Sequence, residues 1–134
     1  MSKLCLLFFL LTSSPFAFSQ STDLNSLSPK EEYENITAQK LNTDSNATSI
    51  VIWIKKEVKP HYHATHSEHV YILEGMGKML LGEKIFDIKP GDLIFIPQGR
   101  VHALRVTSAQ PVKVLSIQSP EFDGSDRVMV EQDW

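Results

Sequence analysis

From residue 49 onward the chain alternates between short apolar runs and single glycines or prolines. The runs cover residues 49–58, 69–74, 78–81, 84–88, 92–97, 101–106 and 112–118, and Gly75, Gly77, Gly82, Pro90-Gly91, Gly99 and Pro111 punctuate them. Short, evenly spaced strands with such breaks predict an all-β sandwich or barrel. Two runs, Ile50-Val51-Ile52-Trp53-Ile54 and Leu93-Ile94-Phe95-Ile96, are apolar on both faces. Successive side chains of a strand point to opposite sides. One face can therefore fill the interior, and the other needs a cover: a second sheet, an N-terminal helix or another subunit. No internal repeat is visible.

Upstream the pattern changes. Residues 20–27 are polar. In Ser28-Pro29-Lys30-Glu31 the serine suits an N-cap, the proline a first helical position and the glutamate the third position of a capping box. This predicts a short helix over about residues 29–41, with Tyr33, Ile36 and Leu41 on its apolar side, and a polar loop over 42–48. Asn35-Ile36-Thr37 and Asn46-Ala47-Thr48 are glycosylation sequons, relevant only in a eukaryotic source. The expected organisation is a polar segment with a short helix at 20–47, then one β domain at 48–134.

Residues 1–19 stand apart. Lys3 precedes an unbroken apolar run at 4–11, too short to span a bilayer, and Ala17-Phe18-Ser19 places small residues at −3 and −1 of a cleavage site. The expectation is a signal peptide cut between Ser19 and Gln20, hence an exported protein, periplasmic or secreted. The mature chain would hold 115 residues with a formal charge of −4, because Lys3 is the only charge removed. Mild acidity argues against a nucleic-acid partner. No later run is long enough for a membrane helix. Cys5 is the only cysteine, so the mature chain would form no disulfide.

The chemistry concentrates in PHYHATHSEHVYILEGMG and PGDLIFIPQGRVHALRV. His61 and His63 lie two apart on a strand and share a face, so both imidazoles can address one atom. Glu68 opens the next run. His102 follows the Pro97-x-Gly99 corner, where a glycine tolerant of positive φ turns the strand so that His102 faces inward. Three imidazoles and one carboxylate suit one divalent transition ion (Mn, Fe, Ni, Zn or Cu) without thiolate ligands. His66, in the turn between them, is a candidate fifth ligand or acid/base, against the simpler reading of a solvated turn histidine. His69 has the opposite parity to Glu68 and should face away, and Glu74 should be solvated. Tyr62, Tyr71, Trp53, Phe86, Phe95 and Arg105 are candidate pocket residues or ordinary core and surface; Arg105 should point outward. The polar tail at 119–127 is expected either to cover the barrel mouth or to return as an edge strand.

Both segments resemble the cupin family. Its first motif, G-x5-H-x-H-x3or4-E-x6-G, is matched by His61, His63, Glu68 and Gly75, with Lys55 at the leading glycine. Its second, G-x5-P-x-G-x2-H-x3-N, is matched by Gly91, Pro97, Gly99 and His102, with Val106 at the terminal asparagine. Both departures fall on scaffold positions. The resemblance covers about residues 48–118 and implies a single-domain double-stranded β-helix, or jelly roll, that pairs as a homodimer. It also implies a metal held by His61, His63, Glu68 and His102. The family contains dioxygenases, decarboxylases, isomerases, lyases and non-catalytic binders. Two readings follow: a metal-dependent enzyme acting on a small oxygenated substrate, or a secreted module that binds a metal or small ligand without turnover.

Overall fold

A computed structural model describes residues 21–134; the expected signal peptide lies outside the described residues. The elements in chain order are β1 (Ile36–Thr43), β2 (Thr48–Ile54), β3 (Glu57–His63), β4 (Ser67–Glu74), β5 (Gly77–Leu81), β6 (Lys84–Ile88), β7 (Leu93–Ile96), β8 (His102–Val106), β9 (Val112–Ser119) and β10 (Arg127–Met129). They form two antiparallel five-stranded sheets. One has the order β1-β2-β9-β4-β7 and the other β10-β3-β8-β5-β6. The inner faces meet in a core that includes Ile54, Val70, Ile72, Met79, Ile96, Leu104 and Val114. The expected all-β jelly roll is the fold found.

The helix expected over 29–41 does not form. A single 3-10 turn, Leu24–Ser26, precedes the first strand, and residues 36–43 are β1, paired along its length with β2 from Ile36↔Ile54 to Thr43↔Thr48. Three apolar residues spread over thirteen could not bury a helical stripe, whereas the bare edge of β2 offers a ladder of backbone hydrogen bonds to any extended chain. The side chain of Asn35 completes the arrangement. It accepts from the Lys56 and Glu57 amides and donates to the Glu57 carbonyl, pinning the turn between β2 and β3. An amide so engaged is not free to carry a glycan.

That turn also divides the predicted run 49–58 into two strands. Lys55, at the position of the family's first glycine, needs no left-handed backbone, since every residue with positive φ among those described is a glycine. Its ammonium instead bonds the Tyr33 carbonyl at 2.7 Å and lies over the Tyr33 ring. Val106, in place of the family asparagine, packs against the core.

The outer face of the first sheet carries the residues of opposite parity. Lys113 on β9 points outward yet is 1 % exposed. Its ammonium bonds Glu74, at 3.0 Å, and the Leu27 carbonyl, at 2.9 Å. An irregular N-terminal segment, not a helix, thus covers this half of the face, and Glu74 is exposed as expected while also pairing with Lys113. On the other half, Tyr71, Leu93, Phe95 and Ile117 remain exposed. His69 faces outward as expected and stacks on Phe95 with centroids 4.8 Å apart.

Candidate metal centre

A β-bulge brings the first two histidines inward. The β3/β8 register runs from Val58↔Leu104 to His61↔His102, so β3 holds one residue more than its partner between these pairs. Pro60, which has no amide to donate, sits in that step. Val58 packs on the core, and strict alternation from it would send His61 and His63 outward. The bulge reverses the parity and buries both. His102 lies directly across from His61, with ring centroids 4.1 Å apart. It follows the corner at Gly99, whose φ of 73° is the left-handed value that the corner was expected to need.

The nitrogen donors of His61, His63 and His102 all lie within 4.8 Å of one another and form a candidate metal site. Each ring has its Nδ1 turned to an oxygen behind it. His61 faces the Lys59 carbonyl at 2.8 Å, His102 the Arg100 carbonyl at 3.0 Å, and His63 the Asp126 carboxylate at 3.1 Å. These oxygens accept, so Nδ1 carries the proton and the Nε2 lone pairs are left for the centre. Burial, reinforced by His102, pushes the His61 pKa down to about 3, which keeps that ring neutral.

Glu68 closes the group from the facing sheet. Its Oε2 lies 3.6 Å from His63 Nε2 and 3.4 Å from His102 Nε2. Its Oε1 accepts from the Ser116 hydroxyl and, at 3.4 Å, from the Gln118 amide. Burial raises its pKa, but His102, His63 and Ser116 outweigh that and hold the carboxyl well below the usual range. Glu68 is therefore an anion among three imidazoles. Ser116 and Gln118 were not singled out in the sequence, although both occupy the inward parity of β9 after Val112 and Val114. A polar pair breaking an apolar face was the available signal.

His66 is neither a solvated turn residue nor free to coordinate. It is 6 % exposed. Its Nδ1 meets the Asp126 carboxylate, and its Nε2 donates to the Glu121 carbonyl at 2.6 Å. Burial lowers its pKa, yet Glu121 and Asp126 raise it overall. Asp126 also accepts from the Thr65 amide at 3.1 Å, so one carboxylate ties His63, His66 and the β3/β4 turn together. Nothing in the sequence marked Asp126, which lies far along the chain in the tail. Of the two courses expected of that tail, the edge strand is the one found. β10 returns as an edge strand on β3, with Arg127 opposite His63. The stretch before it brings Phe122 edge-on to His63 and His66, with centroids at 5.3 and 5.4 Å.

The histidines stand in the wall of a cavity of about 230 Å³, lined mainly by aliphatic residues such as Ile50, Ile52, Val70 and Val114. Tyr62, Tyr71, Trp53, Phe86, Phe95 and Arg105 do not line it; the aromatic residue that does is Phe122. Arg105 points outward as expected, under the Trp134 ring. The donor set fits a divalent transition ion. Neutral imidazoles and a carboxylate are its usual N and O ligands, and acceptors behind each ring fix the tautomer required.

Comparison with known proteins agrees with this geometry. The model of the cupin domain matches residues 50–118. An uncharacterised protein of Aquifex aeolicus is 38% identical over 118 residues, spanning 87% of this chain and 97% of that protein. The quercetin 2,3-dioxygenase of Bacillus subtilis is 30% identical over 80 residues, 58% of this chain but only 24% of that enzyme. A double-stranded β-helix protein from Klebsiella pneumoniae superposes with a TM-score of 0.71 at 15% identity, over 85% of this chain and 99% of the other. By motif, fold and family match, this chain is a member of the cupin family.

Proposed function

We propose that His61, His63 and His102, with Glu68, hold one divalent transition ion, and that the protein is a metal-dependent enzyme acting on a small oxygenated substrate. The observation that carries this reading is the common orientation of the three rings, each with Nδ1 anchored to an oxygen behind it and Nε2 left to converge at the wall of an apolar cavity. An ion held there would polarise an oxygen of the substrate and stabilise negative charge developing on it. The protein's own part is positional. Asp126 and the two backbone carbonyls hold the imidazoles, Ser116 and Gln118 hold Glu68, and the aliphatic walls keep water scarce, which strengthens every electrostatic interaction in the site. Dioxygenation, decarboxylation and isomerisation are the reaction classes such a site serves, and the relative named as a dioxygenase belongs to the first.

Metal analysis tests the first half. The purified protein should bind one ion per chain, and His102→Ala should lose most of it while keeping the β spectrum; unchanged stoichiometry in that variant would refute the assignment. The second half is tested by following oxygen uptake and product mass over diketones, hydroxy acids and diphenols with Fe(II), Mn(II), Ni(II) and Zn(II) forms. Turnover that disappears in Glu68→Ala and after chelation supports an enzyme. Binding without turnover in every metal form would make the protein a binding module.

We also propose that the protein is exported, on the strength of Lys3, the apolar run at 4–11 and Ala17-Phe18-Ser19. Mass spectrometry of the exported fraction should find Gln20 at the mature N-terminus. Intact Met1 on cytoplasmic protein would overturn export.

A further inference from the structure

Besides the histidines, the polar residues on the cavity wall are Glu68, Gln118 and Arg127. Glu68 is fully occupied by His63, His102 and Ser116. The other two are not. Arg127 comes from β10 opposite His63, and it has no carboxylate partner among the described residues. Its nearest polar neighbour is His61 Nδ1 at 3.5 Å, a nitrogen whose proton already serves Lys59. A guanidinium carries five donors in a planar fork that fits a carboxylate. Here the fork lines an apolar cavity from the exposed strand β10, with no carboxylate of this chain paired to it among the described residues. Gln118 is 3 % exposed, and its Oε1 is buried with no hydrogen-bond partner. A buried acceptor left unpaired costs free energy and calls for a donor. Gln118 lies on β9 beside Glu68, while Arg127 is on the facing sheet. The buried acceptor and the solvent-accessible guanidinium therefore line one cavity from opposite walls.

We infer that the natural ligand is a small hydroxycarboxylate with an aliphatic body, its carboxylate read by Arg127 and its hydroxyl hydrogen accepted by Gln118. This rests on the reading of the cavity as the substrate site and names the substrate class. The charge balance points the same way. A divalent ion and the Arg127 cation, set against the Glu68 and Asp126 anions, leave the site positive, so a ligand with one negative charge fits it better than a neutral one. The volume of about 230 Å³ admits a molecule of modest size, and the aliphatic wall accepts its hydrocarbon part.

The test uses 2-hydroxy-4-methylpentanoate, its primary amide, and 4-methylpentanoate as calorimetric probes. They are titrated into zinc-loaded protein and, separately, into chelator-treated protein. The hydroxy acid should bind wild type at least about tenfold more tightly than the amide, as expected for a charge-assisted pair. Arg127→Gln should abolish that preference with zinc content unchanged. Gln118→Leu should remove the advantage of the hydroxy acid over 4-methylpentanoate. Equal binding of acid and amide by wild type, no binding of any probe, or a preference that survives Arg127→Gln would overturn the inference. Protein that takes up no zinc but keeps an Arg127-dependent preference in its metal-free form would sink the metal reading and leave this one standing.

Discussion

Gly75 closes the first family motif and Gly99 stands inside the second, and both have left-handed backbones, with φ of 77° and 73°. Their surroundings differ. A Cβ at Gly75 would stand 2.5 Å from the Pro111 carbonyl oxygen, while one at Gly99 would meet nothing within 4 Å. Gly99→Ala therefore incurs only the conformational penalty, about 1 kcal/mol. Gly75→Ala adds a clash with backbone, which cannot rotate away, and should cost more than about 4 kcal/mol. Urea unfolding of both variants checks this; equal losses would show that packing at Gly75 is not the constraint. Single residues also explain how the two family departures are tolerated. Lys55 sits on ordinary backbone and gains contacts with Tyr33, and Val106 fills core space.

The tail preceding β10 is fastened by the contact of His66 with Asp126, and the two partners titrate in opposite directions. The Asp126 pKa is raised by burial but lowered further by His66, Thr65 and His63. Its contribution to stability is complete above its ordinary value of 3.8 and is lost as pH falls through the depressed folded value. The His66 pKa is raised, so its contribution is complete below 6.5 and is lost as pH rises through the folded value. The fastening is thus strongest between those limits. In chelator-treated protein His66→Gln should lower stability by about 1–3 kcal/mol in that window, and the gap to wild type should close at higher pH. A gap independent of pH would show that His66 acts by packing alone. This fastening also marks where the sequence stopped being legible. Strands β4 to β9 were readable because glycine and proline bound them and their apolar residues alternate. The histidines were readable by spacing, although the bulge at Pro60 that turns them inward was not. β1 was misread because a capping box is a local signal, and the open edge of β2 is a distant one. β10 and Asp126 were hidden because a three-residue, exposed strand is too short to carry a pattern, and its partners lie more than fifty residues back.

The two halves of the first sheet's outer face have different fates. Beneath Lys113 the face is closed by the N-terminal segment. Across β4, β7 and β9 it is open, and the register sets its exposed apolar residues side by side, with His69 opposite both Phe95 and Ile117, and Tyr71 opposite Leu93. Contiguous exposed apolar surface of this kind usually marks a contact. A flat sheet face that meets its own copy makes a self-complementary, closed pair. A homodimer through this face is therefore expected, with the candidate metal centre of each subunit on the inner side of the sheet and independent of the contact. Light scattering at micromolar concentration should give twice the mass of the single purified chain. Replacing Leu93 and Phe95 by glutamate puts charges at the centre of the contact and should produce monomers that keep their metal, because both side chains point away from the cavity. A monomeric wild type would refute the pairing. Loss of metal together with the dimer would show that the β7 edge, through Ile96 opposite Glu68, holds the site in shape.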